Sequence, residues 1–149
     1  MATLARMKTL ALSASRNSLF RIELLRTLPP IENLDDLDHF LRSRFRYRPE
    51  VEEILREPEW MLNDLSVLGY FEGDCDDIET LSAAVLAVLC VEVRFVAIRY
   101  SPDVNYLEHV FLEARAVNDR GMAVWQPVDV TVPVGTRYAQ LERLEYGVN

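Results

Sequence analysis

Apolar residues recur at intervals of three and four as far as Cys90 and at intervals of two beyond it, so a helical half precedes a strand-rich half. Within residues 3–28, Leu4, Met7 and Leu10 or Ala11, then Leu19, Ile22 and Leu25 or Arg26, keep helical spacing around a polar break at 13–18. This predicts one interrupted helix or two short ones, ended by Pro29-Pro30. Asn33 can cap a helix carrying Leu34, Leu37, Phe40, Leu41 and Phe45, with Asp35 and Asp36 in its first turn and arginines in its last, as the helix dipole favours. A further helix is expected over 58–68, where Pro58 suits the first turn and Trp60, Met61, Leu65 and Leu68 make an apolar face. After a turn-rich break at 69–73, Ile78, Leu81, Val85 and Leu89 mark a helix over about 74–89, and Ala83, Ala84 and Ala87 let neighbours approach it closely. That helix reads as buried and central.

Strands are expected at 93–100, at 109–117 and from 123 to about 132, separated by the turns Ser101-Pro102-Asp103 and Asn118-Asp119-Arg120-Gly121. Helices followed by strands imply an α+β fold in which an antiparallel sheet packs on the central helix. The chain, 149 residues and half hydrophobic, is read as one domain over 1–149, with a helical extension at 1–30.

Charge narrows the partners. A net charge of −8 opposes binding to a phosphate backbone, and the arginine-rich stretch 42–48 reads as a solvated helix end. No apolar stretch approaches the roughly 20 residues of a membrane span, and Leu10-Ala11-Leu12 is too brief for a secretory leader. Neither nucleic acid nor membrane is expected as a partner. Cys75 opens the central helix and Cys90 ends it, a separation that no disulfide bridges, so a reducing, cytoplasmic setting suits both. Cys90 reads as a small core hydrophobe and His39 as a solvated helix residue. Asp74, Asp76 and Asp77 read as helix caps in preference to calcium ligands, and Cys75 with His109 leaves too few further ligands for zinc, so neither metal nor cofactor is expected.

The chemistry centres on Gly73-Asp74-Cys75-Asp76-Asp77. Free N–H groups in the first turn favour a thiolate by about 0.3–1 kcal/mol and can bind an oxyanion, whereas adjacent aspartates disfavour the thiolate. An imidazolium in contact would reverse that balance, so the motif asks for a histidine. His109 starts a predicted strand, and Asp129 in the next one can orient its ring. Thiol, base and orienting carboxylate suffice for acyl transfer through a thioester, provided a ring nitrogen lies within about 4 Å of the sulfur and Asp129 holds the other.

Gly73, Cys75 and Asp77, then Arg94-Phe95, then His109, Phe111 and Glu113, then Trp125, Asp129 and Thr131 follow in order. In this the chain resembles the transglutaminase-like branch of the papain-type thiol enzymes over residues 73–131, the expected catalytic core. Phe45-Arg46-Tyr47-Arg48-Pro49 and Arg56-Glu57-Pro58-Glu59-Trp60-Met61-Leu62 are similar to the lead-in of its small bacterial and bacteriophage members. The resemblance implies a papain-like α+β fold with Cys75 as nucleophile, His109 as base and Asp129 as orienting group. The Cys75 N–H would serve as one oxyanion donor, and Trp60 and Asn63 are candidates for the other. It implies a protein or peptide substrate and hydrolysis, with cross-linking to an amine as the alternative; a non-catalytic assembly protein, virion-associated in a phage, would keep the fold alone. Where the family carries Gly-Ile-Pro between helix and strand, this chain has Cys90-Val91-Glu92.

Overall fold

The computed structural model describes residues 2–49 and 54–149. Its helical half begins with α1 (Ala2–Arg16) and α2 (Ser18–Thr27), divided by Asn17 alone, whose side chain caps α2 by accepting from the Leu19 and Phe20 N–H groups at 2.9 and 3.2 Å. Leu4, Met7, Ala11 and Ala14 bury the face of α1 that packs on the central helix, so this segment belongs to the core and is no appendage. The break at Asn17 resets the helical phase. Phe20 and Leu24 therefore face inward, and Leu19, Ile22 and Leu25, expected on the apolar face, are exposed.

Asn33 caps α3 (Leu34–Arg44) as expected, accepting from the Asp36 N–H at 2.9 Å. Phe45 does not extend that helix but opens β1 (Phe45–Tyr47), which pairs in parallel with β2 (Phe71–Gly73) across the intervening α4 (Pro58–Leu68). Three-residue strands are too short to show a period of two, and this pair is held by Phe45 against Phe71, ring centroids 5.5 Å apart. Gly69, at φ 80°, ends α4 in the left-handed conformation that glycine adopts without cost.

The central helix is α5 (Cys75–Val88), with every residue from 77 to 86 buried. It rests on one face of a sheet of order β5-β4-β3-β6, formed by β3 (Val93–Arg99), β4 (His109–Val117), β5 (Ala123–Val128) and β6 (Glu142–Gly147), all antiparallel. Val93, Phe95, Ala97, Leu112 and Ala114 join its core, and Val96, Ile98 and Phe111 form a second cluster with Tyr138. The strand expected to reach about residue 132 stops at Val128, which leaves Asp129 outside the ladder. Strand β6 went unread because Glu142, Arg143 and Glu145 give it the polar character of a sheet edge.

Charge ties the four strands together on the outer face. Arg94 of β3 bonds Glu113 of β4 at 2.6 Å and Glu145 of β6 at 2.7 Å, Arg143 of β6 reaches Glu113 at 2.7 Å, and the Arg94 guanidinium lies 4.2 Å from the Trp125 ring centroid on β5. Among the described residues no helix is long and apolar enough to cross a membrane.

Cys90 corrects an expectation. It is exposed, not a core hydrophobe, and its φ of 60° places an L-residue where glycine is favoured. Helix α5 still exits tightly, with Val91 N–H bonded to the Leu86 carbonyl at 2.9 Å, so the fold keeps the turn and bears its strain. Left-handed geometry costs roughly 1–2 kcal/mol, partly offset in a glycine variant by unfolded-chain entropy. Cys90→Gly is expected to be about 0.5–1 kcal/mol more stable than Cys90→Ala in urea denaturation. Equal stability would show that the turn is unstrained.

Candidate active site

The site forms where β2 turns into α5. Asp74 caps the helix, its carboxylate accepting the Asp77 N–H at 3.2 Å while the Asp77 carboxylate accepts the Asp74 N–H at 3.2 Å, a reciprocal capping box. The other Asp77 oxygen accepts the Arg56 N–H at 2.8 Å, which fastens the lead-in to α4 onto the same turn. Gly73 is required sterically, since a Cβ there would lie 2.7 Å from Asp77 Cβ and Oδ2. These contacts give Asp74 and Asp77 a structural task. Among the described residues no group of three or more His, Cys, Asp or Glu side chains is arranged to hold a metal ion.

Cys75 is the first residue of α5, half-buried, and its thiol points to Asp76 Oδ1 at 3.7 Å. Burial first, then the Asp76 carboxylate, push the thiol up to about 12, with Asp74 and Glu79 adding to the rise and the Val110 N–H opposing it. That N–H belongs to the stretch of β4 beyond the end of β5, whose pairing starts at Leu112 with Val128. Cys75 therefore sits against an uncovered strand edge.

His109 opens β4 on the face of Phe111, and its Nε2 meets Asp129 Oδ2 at 2.5 Å. Thr131 holds the other Asp129 oxygen through its N–H at 3.2 Å and its hydroxyl at 2.8 Å. The pair is largely sealed, with 9% and 11% of the two side chains exposed. Nδ1 is left as the nitrogen that could face a thiol. The structure thus joins the second and third expected residues, while no hydrogen bond joins the Cys75 sulfur to the His109 ring. Asp129 reaches His109 from the turn after β5, not from a neighbouring strand.

Arg42 departs from the expectation drawn from the sequence. Arg42, assigned to a solvated helix end, is a half-buried clamp that donates to the Asp129 and Val132 carbonyls and to Asp38 Oδ2 at 2.6 Å. Its signal was absent because the partners lie 87 and 90 residues away. Trp60 and Asn63, the candidates for a second oxyanion donor, are exposed on α4. Tyr47, also exposed, is nearer: it pairs with Gly73, and its hydroxyl is raised by burial and then by Cys75, Asp74 and Asp76, the groups at the start of α5. Beyond Asp129 an open cavity of about 520 Å³ extends along Asp35, Asp38, Phe111, Val132 and Tyr138.

Glu79, one turn after Cys75, is fully buried, and its oxygens make no well-formed hydrogen bond among the described residues, with the Val130 and Leu112 N–H groups as looser neighbours. Burial drives its carboxyl well above the ordinary range; Asp129 and Asp38 push the same way, and the Val130 and Leu112 N–H groups oppose them. The folded state therefore holds this proton more tightly than the unfolded chain, and stability falls as pH rises from the unfolded value towards the folded one. Glu79→Gln, which cannot titrate, is expected to gain on the wild type by up to about 1.4 kcal/mol per pH unit above pH 4.5. Urea denaturation at pH 4 and 7.5 checks this; a difference independent of pH would contradict it.

Comparison of the chain with protein-family models, with curated proteins and with solved structures finds no match.

Proposed function

We propose that the protein is a thiol-dependent acyl-transfer enzyme acting on a peptide or amide, with a papain-like arrangement of α5 against the sheet, and that it releases the acyl group to water. The observation that carries this reading is the sealed hydrogen bond between His109 Nε2 and Asp129 Oδ2, which fixes one ring nitrogen of the base and leaves Nδ1 to accept a proton. The ordered motifs from Gly73 to Thr131 support it.

The electrostatics favour a particular route. A thiol pushed up to about 12 rests neutral, so the thiolate forms by proton transfer to His109 as bond making begins. The sulfur adds to the carbonyl carbon while its proton passes to Nδ1, and Asp129 stabilises the imidazolium without taking the proton. The carbonyl oxygen becomes an oxyanion that accepts from the Cys75 N–H and, in our assignment, from the Tyr47 hydroxyl. The imidazolium then gives its proton to the leaving amine and a thioester remains. Water, giving a proton to His109, attacks the thioester; the acid leaves and the thiol takes that proton back. An amine in place of water would make the reaction a cross-link.

A non-catalytic assembly protein is the competing reading. It draws on the neutral thiol and on the missing hydrogen bond between Cys75 and His109.

Alkylation across pH separates the two. Cys90 is exposed and accessible to the reagent, so speed of labelling alone does not identify the site. Only Cys75 should respond to Asp129→Asn, its rate profile moving to higher pH as the imidazolium loses its counter-charge, with Cys90 in the same molecule as the control. Iodoacetamide labelling read by peptide mass spectrometry, with circular dichroism to verify folding, measures both thiols at once. Coincident Cys75 profiles would remove Asp129 from the mechanism.

A further inference from the structure

The connection between β5 and β6 is fastened at both ends and once between. Arg42 holds the Asp129 and Val132 carbonyls, and the Leu141 N–H donates to the Arg99 carbonyl at 2.9 Å. Residues 133–141 are all exposed except Tyr138. An inward tyrosine on an outward segment gives up rotamer freedom and must gain a contact surface in return. That surface is the His109 side of the sheet: the Tyr138 ring lies 5.1 Å from the imidazole at 44° and 4.9 Å from Tyr100 at 30°, and it packs on Val96, Ile98 and Phe111. Phe111 lies 6.0 Å from the imidazole at 24°, so His109 has aromatic rings on two neighbours.

We propose that Tyr138 is a positioning residue for the His109–Asp129 pair, its ring covering the imidazole, keeping water from the bond between Nε2 and Oδ2 and holding the Nδ1 edge towards Cys75. This rests on the reading of His109 as the base. Excluding water lowers the local dielectric and strengthens a charge-assisted bond, which is what an orienting carboxylate needs in order to hold an imidazolium. The raised hydroxyl of Tyr138, caused by burial and then by Asp129, Tyr100 and Cys75, agrees with a ring set among these groups. The covering is done by the ring, so Tyr138→Phe should retain it and Tyr138→Ala should lose it.

The test is proton NMR of the full chain labelled with nitrogen-15 histidine. The chain has two histidines, and exposed His39 supplies an internal control. In the wild type and in Tyr138→Phe the Nε2-bound proton of His109 should appear far downfield and exchange slowly with water. In Tyr138→Ala its exchange should quicken about tenfold or more, with His39 unchanged. Tyr138→Leu, which keeps apolar cover without an aromatic ring, serves if the alanine variant misfolds and should fall between the two. A wild-type proton that already exchanges freely, or a rate unaltered by either substitution, overturns the proposal. Repeating the measurement in Cys75→Ala separates it from the catalytic reading: loss of Cys75 chemistry leaves this proton in place, and loss of its protection leaves the thiol.

Discussion

The start of α5 is the constraint on which the rest depends. A helix buried along residues 77–86 needs its first turn fixed, and here its own aspartates fix it, Asp74 accepting the Asp77 N–H and Asp77 the Asp74 N–H. One carboxylate, that of Asp77, serves the Asp74 N–H, the Arg56 N–H and the space left by Gly73. It therefore fixes the end of β2, the approach to α4 and the position of Cys75 together. The same need for caps surrounds the thiol with negative charge, so structure and thiolate compete for the same few residues.

That competition shapes the chemistry. Burial first, then Asp76 and Asp74, disfavour a thiolate at Cys75, and the Val110 N–H only partly compensates. On the proposed reading, a resting ion pair would gain little in such surroundings, whereas a neutral thiol releasing its proton to a well-held imidazole during attack would suffer no standing penalty. The burden then falls on holding the imidazole. Asp129 takes Nε2, Thr131 takes Asp129, and Arg42 takes the backbone on both sides of Thr131. Buried Glu79 keeps its proton because burial penalises its charge, with Asp129 and Asp38 adding to the effect.

Local signals in the sequence were read correctly: caps at Asn33 and Asp74, proline at the head of α4, the change of period after Cys90, and the turn at Asn118 all act within a few residues. What escaped depends on distant partners. Strands β1 and β2 exist because Phe45 meets Phe71; β6 is a charged edge paired to β3; Arg42 reads as surface until the turn after β5 folds against it. Cys90 was misjudged because composition describes a residue and not its φ angle. The pairing of His109 with Asp129 was legible as a pattern, whereas the approach of Asp129 from beyond its strand required the sheet to end early.

The account makes Cys75 a nucleophile, and the covalent intermediate is the most direct thing to observe. The full chain would be mixed with a p-nitrophenyl ester of a short blocked peptide, an activated acyl donor, and its intact mass followed by peptide mapping. The account predicts an acyl adduct on Cys75 that forms within the assay, decays in water, and forms far more slowly in His109→Ala, while any adduct on exposed Cys90 is unchanged by that substitution. No adduct on Cys75, or labelling unaffected by removal of His109, would contradict it.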